Sequence, residues 1–290
     1  MHSCLHCRIG TGILRLVLAA GIFLPAPVGA KEPSTRGSLQ STTSQAAKQD
    51  AIDAIPLARI PAAQRRAVQQ VLSDSSLYRR LPTGVIPCDP DMFTHLMRNP
   101  EMLAEIWREL GISRVDLRRI DANRFRLTDH AGTTARLSIV EQQCEPGAQN
   151  RIVMYVDGAY EGKPFKRAVR AQCVLLLRSG SFAETNGDDY VAARLDTFVR
   201  LDRTSIKLFA KAMHPWVGKT ADANFMDTLN FVSNLSQAAA ENPATITKLV
   251  LKLPRVSHRV QQEMLSIARR SADVASAKRV PSPRVARGGQ

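Results

Sequence analysis

From Tyr190 to Leu201 the chain alternates with period two. Val191, Ala193, Leu195, Thr197, Val199 and Leu201 share one parity, and Arg194, Asp196, Arg200 and Asp202 take the other, interrupted only by Phe198. Alternation sustained over that stretch predicts a strand with one covered face. The segment that follows, from Thr204 to about Ala240, changes to helical spacing, with Phe225, Leu229, Val232 and Ser236 on one stripe and Met226 and Leu235 beside it. A long strand that feeds a long amphipathic helix restricts the architecture to a sheet that packs one face against that helix. The fold class expected is α+β: a curved antiparallel sheet of about six strands gripping a long C-terminal helix, with extra helices at both ends.

The rest of the chain fits that plan. From Pro61 the pattern is helical, with Ala62, Val68, Val71 and Leu72 apolar. Asp89-Pro90 and Asn99-Pro100 each place a capping residue before a proline at the first helical position, a helix-start signature. The second of these helices carries Met102, Leu103, Ile106, Trp107 and Leu110 and ends at Gly111. The period then becomes two. Runs around Val115–Leu117, Phe125–Leu127, Ala135–Ile139, Ile152–Val156, 166–178 and 190–201 are joined by short turns, as in an antiparallel meander. After Leu201 the chain reads helical to near Lys278, broken at Pro215 and Gly218 and restarted at Thr220 or Asp222, then at Asn242-Pro243.

Residues 1–30 read as a secretory signal. Arg8 and Arg15 precede the apolar run LVLAAGIFL (Leu16–Leu24), and Val28-Gly29-Ala30 offers small residues for cleavage near Ala30. That run is far shorter than the roughly 20 residues that span a bilayer. The expected destination is therefore secreted or periplasmic. The whole chain carries 40 basic and 26 acidic residues, and without the signal 38 and 26, a net charge of +12. Residues 31–55 are polar and read as a flexible leader, 56–255 as the domain, and 256–290 as a basic helical or disordered tail. Cys88, Cys144 and Cys173 remain after the signal, so at most one internal disulfide can form, and spacing does not choose the pair.

The order helix pair, meander, closing helix resembles the START-like, or helix-grip, superfamily. Several stretches are also similar to an uncharacterised family of exported bacterial proteins. These are Arg79-Arg80-Leu81-Pro82, Cys88-Asp89-Pro90-Asp91, Ile106-Trp107, Asp129-His130-Ala131-Gly132-Thr133, Gly158-Ala159-Tyr160-Glu161-Gly162, Arg194–Val199 and Asp222-Ala223-Asn224-Phe225. The resemblance implies an apolar cavity between curved sheet and long helix, in which many START-like proteins hold lipids or other apolar molecules. It fixes fold better than chemistry.

Chemistry is otherwise sparse. His95, His130, His214 and His258 show no ligand spacing, no Cys-x-x-Cys occurs, and no nucleophile elbow or phosphate loop is present. No metal or cofactor is implied. Asp157 and Glu161 near a strand end read as exposed turn charges, and Arg194 and Asp196 as an ion-pair ladder on the outer sheet face. Two functional readings result. In one, a lipid or apolar molecule sits in a sheet–helix cavity walled by Trp107, Val191, Leu195, Val199, Phe225, Leu229 and Val232. In the other, the interior is solid and the basic C-terminal tail, through Arg269, Arg270, Lys278 and Arg279, holds an anionic membrane surface or envelope polymer. Nucleic acid is disfavoured as a partner by export and by the lack of interleaved aromatics, and an enzyme is the third and least supported class.

Overall fold

The computed structural model describes residues 40–145, 149–162, 165, 167–185, 187–202, 205 and 216–279. The expected signal at 1–30, the helix start at Thr204, the break at Pro215, and the chain beyond Arg279 lie outside the described residues.

The described elements are α1 (Gln45–Asp53), a 3-10 turn (Leu57–Arg59), α2 (Ala62–Ser73), β1 (Leu77–Arg80), β2 (Gly84–Pro87), α3 (Pro90–Arg98) and α4 (Pro100–Glu109). They continue with β3 (Asp116–Arg119), β4 (Arg124–Thr128), β5 (Thr133–Gln143), β6 (Asn150–Tyr160), β7 (Val169–Ala183), β8 (Asp189–Leu201), α5 (Trp216–Glu241), α6 (Pro243–Leu251) and α7 (His258–Arg279). The molecule is α+β, with one antiparallel sheet in the order β1-β8-β7-β6-β5-β4-β3. The meander from β3 to β8 matches the sequence pattern, but the sheet has eight strands where the pattern predicts six. The two extra strands are four residues long and are separated by Leu81-Pro82-Thr83, too short for alternation to be visible. Together they form one edge on β8: Arg80 pairs with Asp196 and Gly84 with Ala193, so one extra residue is accommodated around Pro82, which has no amide to give a ladder.

Each helix start signed by Asx-Pro is present. Asp89 accepts from the Met92 amide at 3.0 Å, and Asn242 from Thr245 at 3.2 Å. Asn99 is different: its side chain is taken by Arg119 and by the His95 carbonyl, each at 2.9 Å, and does not cap α4. The chain leaves α4 through Gly111 at φ 70°, in the left-handed region.

Both faces of the sheet are covered, unequally. The inner face, carrying Val191, Leu195 and Val199, packs against α3 to α7 in one continuous apolar core. The outer face carries a second core, in which Val140, Val153, Val174, Leu176, Tyr78 and Phe198 lie under α1, the 3-10 turn and α2.

Three sequence expectations are corrected by this arrangement. The leader expected at 31–55 is helical over Gln45–Asp53, capped by Ser44, with Ala47 and Ala51 buried. Two alanines four apart are enough to seat a helix on a sheet yet give almost no hydrophobic signal. The segment from 256, expected as a tail, contains α7, whose Val260, Met264, Leu265, Ile267 and Ala268 belong to the inner core. Finally, Gly218 lies within α5, which is already helical at Trp216, ahead of the predicted start at Thr220 or Asp222.

Candidate functional site

The residues expected to wall a cavity are brought together, but as packed core. Trp107 and Val232 have no exposed surface, and Val191, Leu195, Val199 and Leu229 are also buried, while half-buried Phe225 packs against them. A cavity large enough for a lipid would leave its walls open to a water-sized sphere. Trp107 instead meets Phe231 edge-on, with ring centroids 5.6 Å apart. At Gly84 the approach of α5 to β2 is so close that a methyl group there would collide with Leu229. A void lined by Phe93, Met97, Ile152 and Leu177 measures about 10 Å³, room for about one water.

Two of the four basic residues expected at the C-terminus are engaged. Arg270 on α7 donates to Asp91 and Ser266, each at 3.0 Å. Lys278 donates to the Gly187 carbonyl and to Asp188. Arg269 is exposed and, among the described residues, makes no side-chain bond; the Arg279 side chain lies outside them. Beside α7 an open groove of about 830 Å³ runs between α3, α7 and one end of the sheet. Its charges largely neutralise one another. Arg119 pairs with buried Glu101 at 2.7 Å and lies over the Phe125 ring, and Arg259 pairs with Glu263 at 3.2 Å. His95 faces this groove and donates from Nε2 to the Val260 carbonyl at 3.1 Å, which fastens α3 to α7. Burial holds its pKa below the ordinary value, so the ring is neutral near pH 7.

Cys88, Cys144 and Cys173 are free thiols. Burial pushes Cys88 and Cys173 up to about 12, which leaves little thiolate for nucleophilic chemistry. Among the described residues no group of three His, Cys, Asp or Glu side chains is placed to hold a metal. Asp129 accepts from the amides of Ala131 and Thr133 at 2.8 and 2.9 Å and shapes a turn, with His130 exposed beside it. No described helix is long and apolar enough to cross a membrane.

A different site emerges on the outer face, where register creates an arrangement that spacing along the chain hides. Arg118 on β3 lies directly opposite Arg126 on β4, and Arg126 directly opposite Arg136 on β5. In the next row Thr128 faces Thr134. Two arginines and two threonines thus form a square on one side of the sheet. Side chains directly opposite on neighbouring strands sit about 5 Å apart at Cβ, and like charges so placed repel. Arg118 is relieved by Asp116, which accepts from its Nε at 3.0 Å. Among the described residues, exposed Arg126, Arg136 and Arg170 make no side-chain hydrogen bond or ion pair. Asp157 lies directly opposite Arg136 on β6, yet no ion pair joins them. These side chains, with Glu161, line an open groove of about 460 Å³.

Among the described residues no helix covers this end. The outer core they cover is centred on β7, β8 and β1, and Arg124, Arg126 and Arg136 lie beyond it. No protein-family model matches the chain, and no curated protein does.

Proposed function

We propose that this protein is an exported, non-enzymatic binding module on a START-like helix-grip plan, which holds an anionic group of its partner at Arg126, Arg136 and Arg170. The observation that carries the reading is the pair Arg126 and Arg136. They are adjacent, exposed, without acid partners among the described residues, and lie next to two threonine hydroxyls inside a groove. Guanidinium groups match the two-pronged geometry of phosphate and carboxylate, and hydroxyls supply further donors. The burial of Trp107, Leu229 and Val232 supports the solid-interior reading over a lipid held between sheet and helix. Export, read from residues 1–30, places the anion outside the cytoplasm.

The test is retention on an immobilised phosphate resin in a salt gradient. The triple variant Arg126→Gln/Arg136→Gln/Arg170→Gln should elute at clearly lower salt than the wild type. A matched variant, Arg66→Gln/Arg259→Gln/Arg269→Gln, removes the same charge elsewhere and should elute near the wild type. Equal loss of retention in both variants would reduce the effect to net charge and overturn the assignment. Greater loss in the matched variant would return the anion to the α7 surface expected from sequence.

A further inference from the structure

The groove at Arg126 and Arg136 has two signs of charge, and among the described residues the carboxylates at its negative end make no side-chain hydrogen bond or ion pair. Asp157 is exposed, stands directly opposite Arg136, and leaves that arginine unpaired. Glu161, just past the end of β6, is exposed in the same groove. An exposed cross-strand Arg–Asp pair would ordinarily close for a small gain. Here each group stays open toward the groove. Arg170 stands beyond Ala159, in the row that also carries Thr128 and Thr134. A site built for a bare anion would not line its groove with two uncompensated carboxylates, since like charges disfavour the bound state.

We infer that the groove receives a phosphate ester that also carries an amine, the chemistry of a phosphoethanolamine group. The inference rests on the anion-binding reading above. The phosphate sits over Arg126 and Arg136, with Thr128 and Thr134 donating from the adjacent row. The ammonium reaches the carboxylate of Asp157, directly opposite Arg136, with Glu161 adding negative charge further along the groove. Three strand-to-strand steps of about 4.8 Å and a shift of one row separate Arg126 from Arg170 by roughly 16 Å, so a group of this size occupies the β4–β6 portion and leaves Arg170 for whatever the phosphate is attached to. The groove carries no aromatic side chain on which a base could stack, which separates this ligand from nucleotides.

The experiment is calorimetric titration of the full mature chain with O-phosphoethanolamine and with glycerol 3-phosphate at one ionic strength. The wild type should favour O-phosphoethanolamine by about tenfold, the size of one charge-assisted contact. Asp157→Asn should abolish that preference by weakening O-phosphoethanolamine while glycerol 3-phosphate binds no less tightly than to the wild type, and Arg126→Gln should weaken both ligands. Equal binding of the two by the wild type would overturn the amine site and leave the anion reading standing. Binding of neither would sink both. Flotation with vesicles of phosphatidylethanolamine in phosphatidylcholine identifies the source. Selective titration with co-flotation assigns the group to a lipid head, and selective titration without it assigns a free or polymer-borne ester.

Discussion

The outer face of the sheet carries two rows of three arginines, and the protein treats them differently. In one row Arg151, Arg178 and Arg194 lie directly opposite one another on β6, β7 and β8. In the other, Arg118, Arg126 and Arg136 do so on β3, β4 and β5. The first row is answered by acids at every position. Glu141 accepts from Arg151 at 3.0 and 3.1 Å, while Asp196 and Asp50 accept from Arg178 at 3.0 and 2.8 Å. Arg194 approaches the same two carboxylates at 4.0 and 3.7 Å. Asp196 is fully buried and also accepts from Tyr78 Oη and Arg80 Nε, each at 2.7 Å. Asp50 comes from α1, so the acid that neutralises the row also ties down the helix above it. In the second row only Arg118 is bonded to an acid, Asp116; Asp157 stands opposite Arg136 without an ion pair, and among the described residues no helix covers the row. Where arginines serve the fold, carboxylates and a cover come with them. Where those are missing, the arginines are available to something else.

The largest effect is expected in the covered row. Desolvating the Asp196 carboxylate is offset only by its donors, and Asp196→Ala leaves the guanidiniums of Arg80 and Arg178 without their main counter-charge. Chemical denaturation should show a loss of about 3–5 kcal/mol. A loss below about 1 kcal/mol would make the two rows energetically alike and break the comparison. On the inner face, Leu229→Ala should lose about 2–5 kcal/mol by the same assay, as expected for a filled core. A cost well under that range would point to space beside α5.

A smaller, pH-dependent effect follows from Asp50. The hydrogen bond from Arg178 is the main cause holding its pKa at about 2, against an ordinary 3.8. Because the folded value is depressed, its contribution is complete above about pH 4 and is lost as pH falls toward 2. The side chain is half exposed, so screening limits the contribution to about 1 kcal/mol or less. Stability measured from pH 5 to 2 should fall more steeply in the wild type than in Asp50→Asn. Parallel curves would show that Asp50 is not what fastens α1.

Much of the fold was legible because period and punctuation were strong. The alternation of Val191 to Leu201 and the Asp89-Pro90 and Asn242-Pro243 starts are local signals, and local chemistry decided them. The outer helical layer was not legible. Alternation in β8 marks Asp196 as polar, and only long-range donors, Tyr78 and Arg80 from the missed edge strand and Arg178 across the register on β7, make its burial tolerable. The candidate site was hidden for a related reason. Arg126 and Arg136 are ten residues apart and each looks like an ordinary wet-face residue. Their adjacency exists only in the register of β4 on β5, which the Phe125 and Leu127 pairing with Leu137 and Ala135 sets from the other side of the sheet. The interrupted Phe198 was the one residue in β8 that signalled a covered outer face.

The most direct test is to measure stability and binding together in Arg126→Glu. Arg126 has an arginine on each side, so the substitution converts two repulsive cross-strand pairs into attractive ones. If the open row is maintained for a ligand, the variant should gain about 0.5 kcal/mol in chemical denaturation and lose at least about tenfold in affinity for O-phosphoethanolamine. A variant that is less stable than the wild type and binds the probe equally well would mean the row serves the fold after all, and would contradict the contrast between the two halves of this face.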